Sequence, residues 1–340
     1  MWYTQIDMKI VVTHNSPDWD AITSVWVIKK FLPGWDQAEV RFVPAGSKLQ
    51  RLADQRLAPS SEKTGDAIEQ FNGDEVIHVD TGLGPLDHHQ TQSKNVSAAS
   101  LAFDFVKNAP DAKFKIKHEH DEKWAYKEEA VGRIVKVVVE IDHFGEVFWD
   151  NPTADYHEFS LLGVLEGLKL SKPDDDMYYM DIGITLLEAL LHTFVNRIWA
   201  EKEIAEHGTA FTTKWGKGMG FLTINDSVLP LAQKMGYVLV IRKDPRKGYV
   251  RIKAKPSDFG HAGKPKAHPA SDSGVAQLPR MTKGDIDLTL AYEKLRKMDP
   301  DATWFLHVSK KMLLNGTVKN PTMKATTLSL EQIIEVLKKV

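Results

Sequence analysis

Three short apolar runs each stop on a residue that can hold a cation, and this repetition constrains the chain more than any other feature. Ile10 to Val12 leads into Thr13-His14-Asn15-Ser16-Pro17-Asp18-Trp19-Asp20, Glu75 to Val79 ends on Asp80, and Ile134 to Ile141 ends on Asp142 with His143 beside it. Short runs rich in Val and Ile read as buried strands, and the first half of the third fits a strand or a helix end, with its β-branched content favouring a strand. After the first, Ile22, Val25, Trp26, Ile28 and Phe31 recur at helical spacing until Leu32-Pro33-Gly34. Glu39 to Pro44 reads as a second strand and Leu49 to Leu57 as a helix. This βαβα order predicts an α/β fold with a doubly wound, mainly parallel sheet, whose ligands bind beyond the carboxyl ends of the strands. Pro17 fixes its own φ and biases Ser16 towards an extended conformation, so a rigid turn is expected between His14 and Asp18.

The remaining chain reads as a connector and a second α/β domain. Ser97 is an N-cap for a helix reaching Val106, and the charge-rich 113–133, including Lys117 to Glu122, reads as a solvated face or loop. Asp181 to His207 predicts a long amphipathic helix stopped by a glycine cap at Gly208, with Asp174-Asp175-Asp176 as helix-start chemistry. Phe221 to Ile224, Tyr237 to Ile241, Tyr249 to Ala254 and Trp304 to Val308 read as strands, and Asp285 to Met298 as a helix. Trp215 to Gly220 reads as a flexible turn and Asn315-Gly316 as a hairpin turn. Ser329 with Gln332 makes a capping box for a final helix. The expected division is a catalytic domain over 1–175, a connecting helix over 176–208 and a smaller substrate-binding domain over 209–340, with the active site between the domains.

Composition narrows the chemistry. The 340 residues carry a formal net charge of -2 and no cysteine, which leaves no disulfide, thiolate nucleophile or thiolate-held metal. Any metal must use oxygen and imidazole. No basic segment precedes an apolar core and no apolar run has membrane length, so a cytoplasmic protein that engages no membrane is expected.

His14-x-x-x-Asp18-x-Asp20-Ala21, the strand-end Asp80, the triplet Asp87-His88-His89 and the downstream Asp142 resemble, in order and spacing, the four motifs of the DHH phosphoesterase superfamily. The likeness covers the first 145 residues or so and extends to the Ser97-Ala98-Ala99 helix start. Phe305-Leu306-His307-Val308-Ser309 leading to Asn315-Gly316 is similar to the ending of the melanocyte-proliferating-gene family of nucleases within it. The resemblance implies two divalent cations, manganese first and Mg2+, Co2+, Fe2+ or Zn2+ as alternatives. His14 and Asp18 would hold one, Asp20, His88 and Asp142 the other, and Asp80 would bridge. His89 would face the substrate phosphate and Asp87 would orient a neighbouring histidine. Two ions sharing a bridging hydroxide polarise a phosphoryl group for in-line attack.

The implied activity is hydrolysis of a nucleotide phosphodiester, as a 3'-5' exonuclease on short single-stranded oligonucleotides or a cyclic-dinucleotide phosphodiesterase. A pyrophosphatase-like phosphoanhydride hydrolase and a non-catalytic metal-dependent nucleotide sensor are the alternatives, and a homodimer is left open. Arg251, Lys253 and Lys255 alternate with apolar residues and form a cationic strand face suited to phosphates, or an ordinary wet face. Phe259 to Lys264, with His261, resembles a degenerate form of the glycine-rich loop of relatives, and His307, Lys311, Asn315 and Arg280 join the substrate-binding set by resemblance. Trp19 has two readings, a platform for a base or packing beneath the loop.

Overall fold

The computed structural model describes residues 8–49, 66–115, 123–256, 285–317 and 320–340. The expected helix over Leu49 to Leu57, the charged run Lys117 to Glu122, His261 and Arg280 therefore lie wholly or almost wholly outside the described residues. The chain divides into two compact units, Met1–Val195 and Asn196–Val340.

In the first unit, β1 (Lys9–His14), α1 (Trp19–Phe31), β2 (Glu39–Val43), β3 (Glu69–Phe71) and β4 (Asp74–His78) precede α2 (Ala98–Asn108) and α3 (Lys127–Asp142). The short α4 (Asp155–Glu158), α5 (Leu161–Ser171) and α6 (Asp176–Glu206) follow. The sheet order is β2-β1-β4-β3, with β1 parallel to both neighbours and β3 an antiparallel edge. Successive parallel strands thus leave β1 on opposite sides, which makes its carboxyl end the switch point where such sheets bind ligands. Ile10, Val11 and Val12 are all fully buried, so β1 is covered on both faces as its continuous apolar run requires. Every residue of α1 from Trp19 to Ile28 is buried.

The run Ile134 to Asp142 is not a strand. It is the second half of α3, whose buried residues Ala130, Val131, Ile134, Val135 and Val138 repeat with the helical period while Val137 is 40% exposed. β-Branched content favours a strand, but packing of this stripe against α1 and α2 overrides propensity. Asp142 therefore ends a helix.

The second unit holds β5 (Thr209–Thr213), β6 (Gly216–Leu222), α7 (Val228–Lys234), β7 (Leu239–Lys243), β8 (Val250–Ala254), α8 (Thr289–Met298), β9 (Trp304–Leu306), β10 (Met312–Asn315) and α9 (Leu330–Lys338). Its sheet runs β5-β6-β7-β8-β10-β9, parallel only between β6 and β7 across α7. The glycines at 216, 218 and 220 belong to β6 rather than to a flexible turn: a Cβ on Gly218 would meet the Phe211 ring at 2.4 Å. Gly208 follows α6 but lies outside the left-handed region; its Cβ would strike Met219 Sδ at 2.6 Å, so close packing rather than a glycine cap requires it. Asn315 ends β10, and the hairpin with β9 turns instead at His307 to Lys311. Among the described residues no helix is long and apolar enough to cross a membrane.

Candidate metal centre

The last residue of β1, His14, donates from Nδ1 to Asn15 O at 2.8 Å, which leaves Nε2 as its ligand atom; Nε2 faces Asp80 Oδ2 at 3.1 Å. The turn after it is tighter than Pro17 suggests. Ser16 is left-handed, with φ 53°, and is held at both ends: its N–H donates to Asp176 Oδ1 at 2.8 Å and its carbonyl accepts from Lys169 Nζ at 3.3 Å. The acidic run before α6 thus serves the loop as well as its own helix, where Asp175 Oδ1 accepts from Tyr178 N–H. Asp18 caps α1 through Oδ1, taking the N–H groups of Asp20 and Ala21 at 2.9 and 3.0 Å.

Asp20 is buried and accepts from Ala98 and Ala99 N–H at 2.7 and 2.8 Å, which ties the first motif to the amino end of α2. Ser97 caps that helix in a capping box with Ser100. Asp80, two residues beyond β4, is left-handed at φ 56° and 2% exposed. Asp87 spends Oδ2 on Leu83 N–H at 2.8 Å and holds His89 Nδ1 on Oδ1 at 2.7 Å, so it orients one histidine of its triplet.

The second histidine, His88, carries the geometry. Its Nε2 lies 3.4 Å from Asp80 Oδ1, 3.6 Å from Asp20 Oδ2 and 3.6 Å from Asp142 Oδ2. One nitrogen is surrounded by three carboxylates from α1, the loop after β4 and α3, all beyond a good hydrogen-bond length. Asp80 Oδ1 and Asp142 Oδ2 are buried without a hydrogen-bond partner, which is costly for a carboxylate unless a cation completes it. Among the described residues His14, Asp18 and Asp80 form one group able to hold a metal, and Asp80 with His88 and His89, and His88 with Asp142 and His143, form two more. Asp80 presents Oδ2 to the first group and Oδ1 to His88.

The electrostatics express the same crowding. Burial and the neighbouring Asp80 charge push the Asp20 carboxyl far up, and burial raises Asp142. Burial pushes Asp80 up as well, but the hydrogen bond from His14 and the nearby His14 and His88 charges outweigh it and hold the carboxyl down. Burial lowers His14, yet Asp80, the Asn15 carbonyl and Asp18 together raise it to about 9. The close approach of Asp80 is the main cause that raises His88, and the Asp142 and Asp20 charges add to it. The shared cause is negative charge crowded into a buried space, which favours a proton or a cation there.

The structure thus brings together His14, Asp18, Asp20, Asp80, His88, His89 and Asp142. It adds His143, whose Nδ1 lies 3.2 Å from Asp142 Oδ2 and 3.0 Å from Val139 O, and whose Nε2 faces Ser93 O at 3.1 Å. Its position next to Asp142 was the available signal, and the strand reading pointed the two side chains to opposite faces. Trp19 is 5% exposed, with its indole N–H buried and unpartnered, so it packs beneath the loop and offers no platform.

In the second unit, Arg251 and Lys253 alternate with buried Val250, Ile252 and Ala254 as the pattern predicts. Arg251 is paired with Asp226 at 3.0 Å, and the same carboxylate holds Arg242, its cross-strand neighbour, at 2.7 Å. His307 is half-buried with Nδ1 on Ser309 Oγ, and Lys311 pairs with Asp285. Asn315 is fully buried: its amide donates to Thr303 O and Lys324 O and accepts from Thr326 N–H. Its assignment to substrate is corrected to a structural one, because its side chain is spent on backbone.

No family model and no curated protein matches the chain. A solved structure of an uncharacterized protein from Helicobacter pylori G27 aligns over 98% of this chain and 100% of that one at 14% identity, with a TM-score of 0.22, a superposition too loose to transfer fold or function.

Proposed function

We propose that this centre binds two divalent cations and that the protein is a metal-dependent phosphoesterase acting on a nucleotide phosphodiester. The observation that carries the reading is Asp80, buried, left-handed and presenting one carboxylate oxygen to His14 and the other to His88. His14 and Asp18 would hold one cation, and Asp20, His88 and Asp142 the other, with Asp80 between them. The donor set of imidazole and carboxylate without thiolate fits Mn2+ first, and Mg2+, Co2+, Fe2+ or Zn2+ after it. When bound, such ions lower the pKa of water and neutralise charge developing on a phosphoryl group.

The residues supply the rest. The N–H groups of Ala98 and Ala99 fix the Asp20 carboxylate, and Asn15 O fixes the His14 tautomer, so the donors need little reorganisation. His89 is 58% exposed, with Nδ1 held by Asp87, and its Nε2 is left to meet a phosphoryl oxygen or the departing hydroxyl. The resemblance to DHH phosphoesterases points to short oligonucleotides or a cyclic dinucleotide as substrate.

The test is incubation of the purified protein and Mn2+ with labelled short RNA, short DNA, cyclic dinucleotides and pyrophosphate. Metal-dependent cleavage of a phosphodiester is expected. Phosphate release from pyrophosphate alone would favour the phosphoanhydride reading, and tight nucleotide binding without product would favour a sensor.

A further inference from the structure

Phe144 combines two features that are unfavourable without a purpose. It is left-handed at φ 58°, a region that bulky side chains rarely occupy, and it is 74% exposed. Its place in the chain is the turn that closes α3, where its N–H donates to Ile141 O at 2.9 Å and where glycine or asparagine usually stands. Gly145 then lets the chain fold back: a Cβ there would meet Glu140 Cγ at 2.5 Å and Glu140 O at 2.7 Å. The result is a constrained backbone turn that leaves the aromatic ring out of the apolar core.

Two residues earlier the chain supplies Asp142, and one residue earlier His143, both members of the carboxylate and imidazole cluster. Two peptide units reach at most about 7 Å, so the backbone of Phe144 stands at the edge of the site. An exposed aromatic side chain whose backbone stands at that range from the cluster suits the base of a nucleotide whose phosphate lies in the centre, because stacking on an aromatic face tolerates any base. Trp19, the other aromatic within the motifs, is buried and cannot serve. Inorganic pyrophosphate has nothing to place there.

We propose that Phe144 is the residue on which a substrate base stacks, and that it makes the site prefer nucleotide phosphodiesters to base-free phosphoesters. The inference rests on the phosphoesterase reading and names the substrate class that reading leaves open.

The experiment compares wild type, Phe144→Gly and Phe144→Trp, using a dinucleotide containing 2-aminopurine and its abasic counterpart. Glycine suits a positive φ, so Phe144→Gly should fold with an undiminished Tm, and Phe144→Trp keeps the stacking face. The wild type should bind the fluorescent dinucleotide with quenching. Phe144→Gly should bind it roughly 5- to 150-fold more weakly and lose most of its preference over the abasic form, while Phe144→Trp should retain both. Equal affinity and quenching in wild type and Phe144→Gly would overturn the proposal, as would a change in oligomeric mass without a change in base binding, which would make Phe144 a protein contact. Hydrolysis is scored separately on the wild type with Mn2+: base-dependent binding without hydrolysis would count against the phosphoesterase reading and leave the stacking role standing.

Discussion

At the scale of single residues the account turns on Asp80. Its left-handed backbone aims one carboxylate at two histidines from different elements, and Asn tolerates the same backbone. Asp80→Asn should therefore remain folded while turnover falls at least about 100-fold, the scale of losing one fixed charge-stabilising group. Full activity of that variant with added Mn2+ would contradict a bridging role. The histidine on the other side makes a pH prediction. His14 sits at about 9 in the metal-free protein against an ordinary 6.5. A group raised by folding stabilises fully below its unfolded pKa and ceases to as pH rises through the folded one. Asp20, raised by burial and by Asp80, acts in the same direction. The metal-free Tm should thus fall between pH 6.5 and 9, while affinity for Mg2+ rises over that interval as protons give way to metal. Thermal melts with and without Mg2+ at the two ends check it, and a metal-free Tm that climbs would contradict it.

At the scale of elements, local signals were legible and ambiguous periodicity was not. Ser97 and Ser329 both cap helices, with Ser100 and Gln332 completing the boxes, because capping is settled within four residues. The segment ending at Asp142 was misread because Val135, Val138 and Ile141 favour strands intrinsically, and only packing from distant parts of the chain decides otherwise. The proposed ligand set does not depend on that difference, since either element delivers Asp142 at its carboxyl end. The packing of α6 on α1 was invisible for the same reason. A Cβ on Gly183 would meet Ile22 Cγ2 at 2.7 Å and Cδ1 at 3.0 Å. Gly183→Ala should cost about 1–3 kcal/mol by overpacking, and in an Ile22→Ala background, which lacks both Cγ2 and Cδ1, the same change should cost less. Denaturant unfolding measures both; additive losses would show that the two positions do not meet.

At the scale of the whole molecule, each unit has its own sheet, and every proposed metal ligand belongs to the first. A change of pattern along the chain accompanies this division, whose boundary lies inside α6 between Val195 and Asn196. Metal binding should stabilise the first unit selectively, by about 2.7 kcal/mol at a free metal concentration 100 times Kd. Calorimetry with increasing Mn2+ should show a transition that moves upward while unfolding of the second unit stays in place; an equal shift of all unfolding would contradict that localisation. The central claim is that Asp80 joins two cations in one centre. The most direct measurement is electron paramagnetic resonance of the protein titrated with Mn2+, with bound metal counted in parallel. Two Mn2+ per chain with an exchange-coupled spectrum that is lost in Asp80→Asn is the predicted result; a single bound ion, or two ions without coupling, would contradict it.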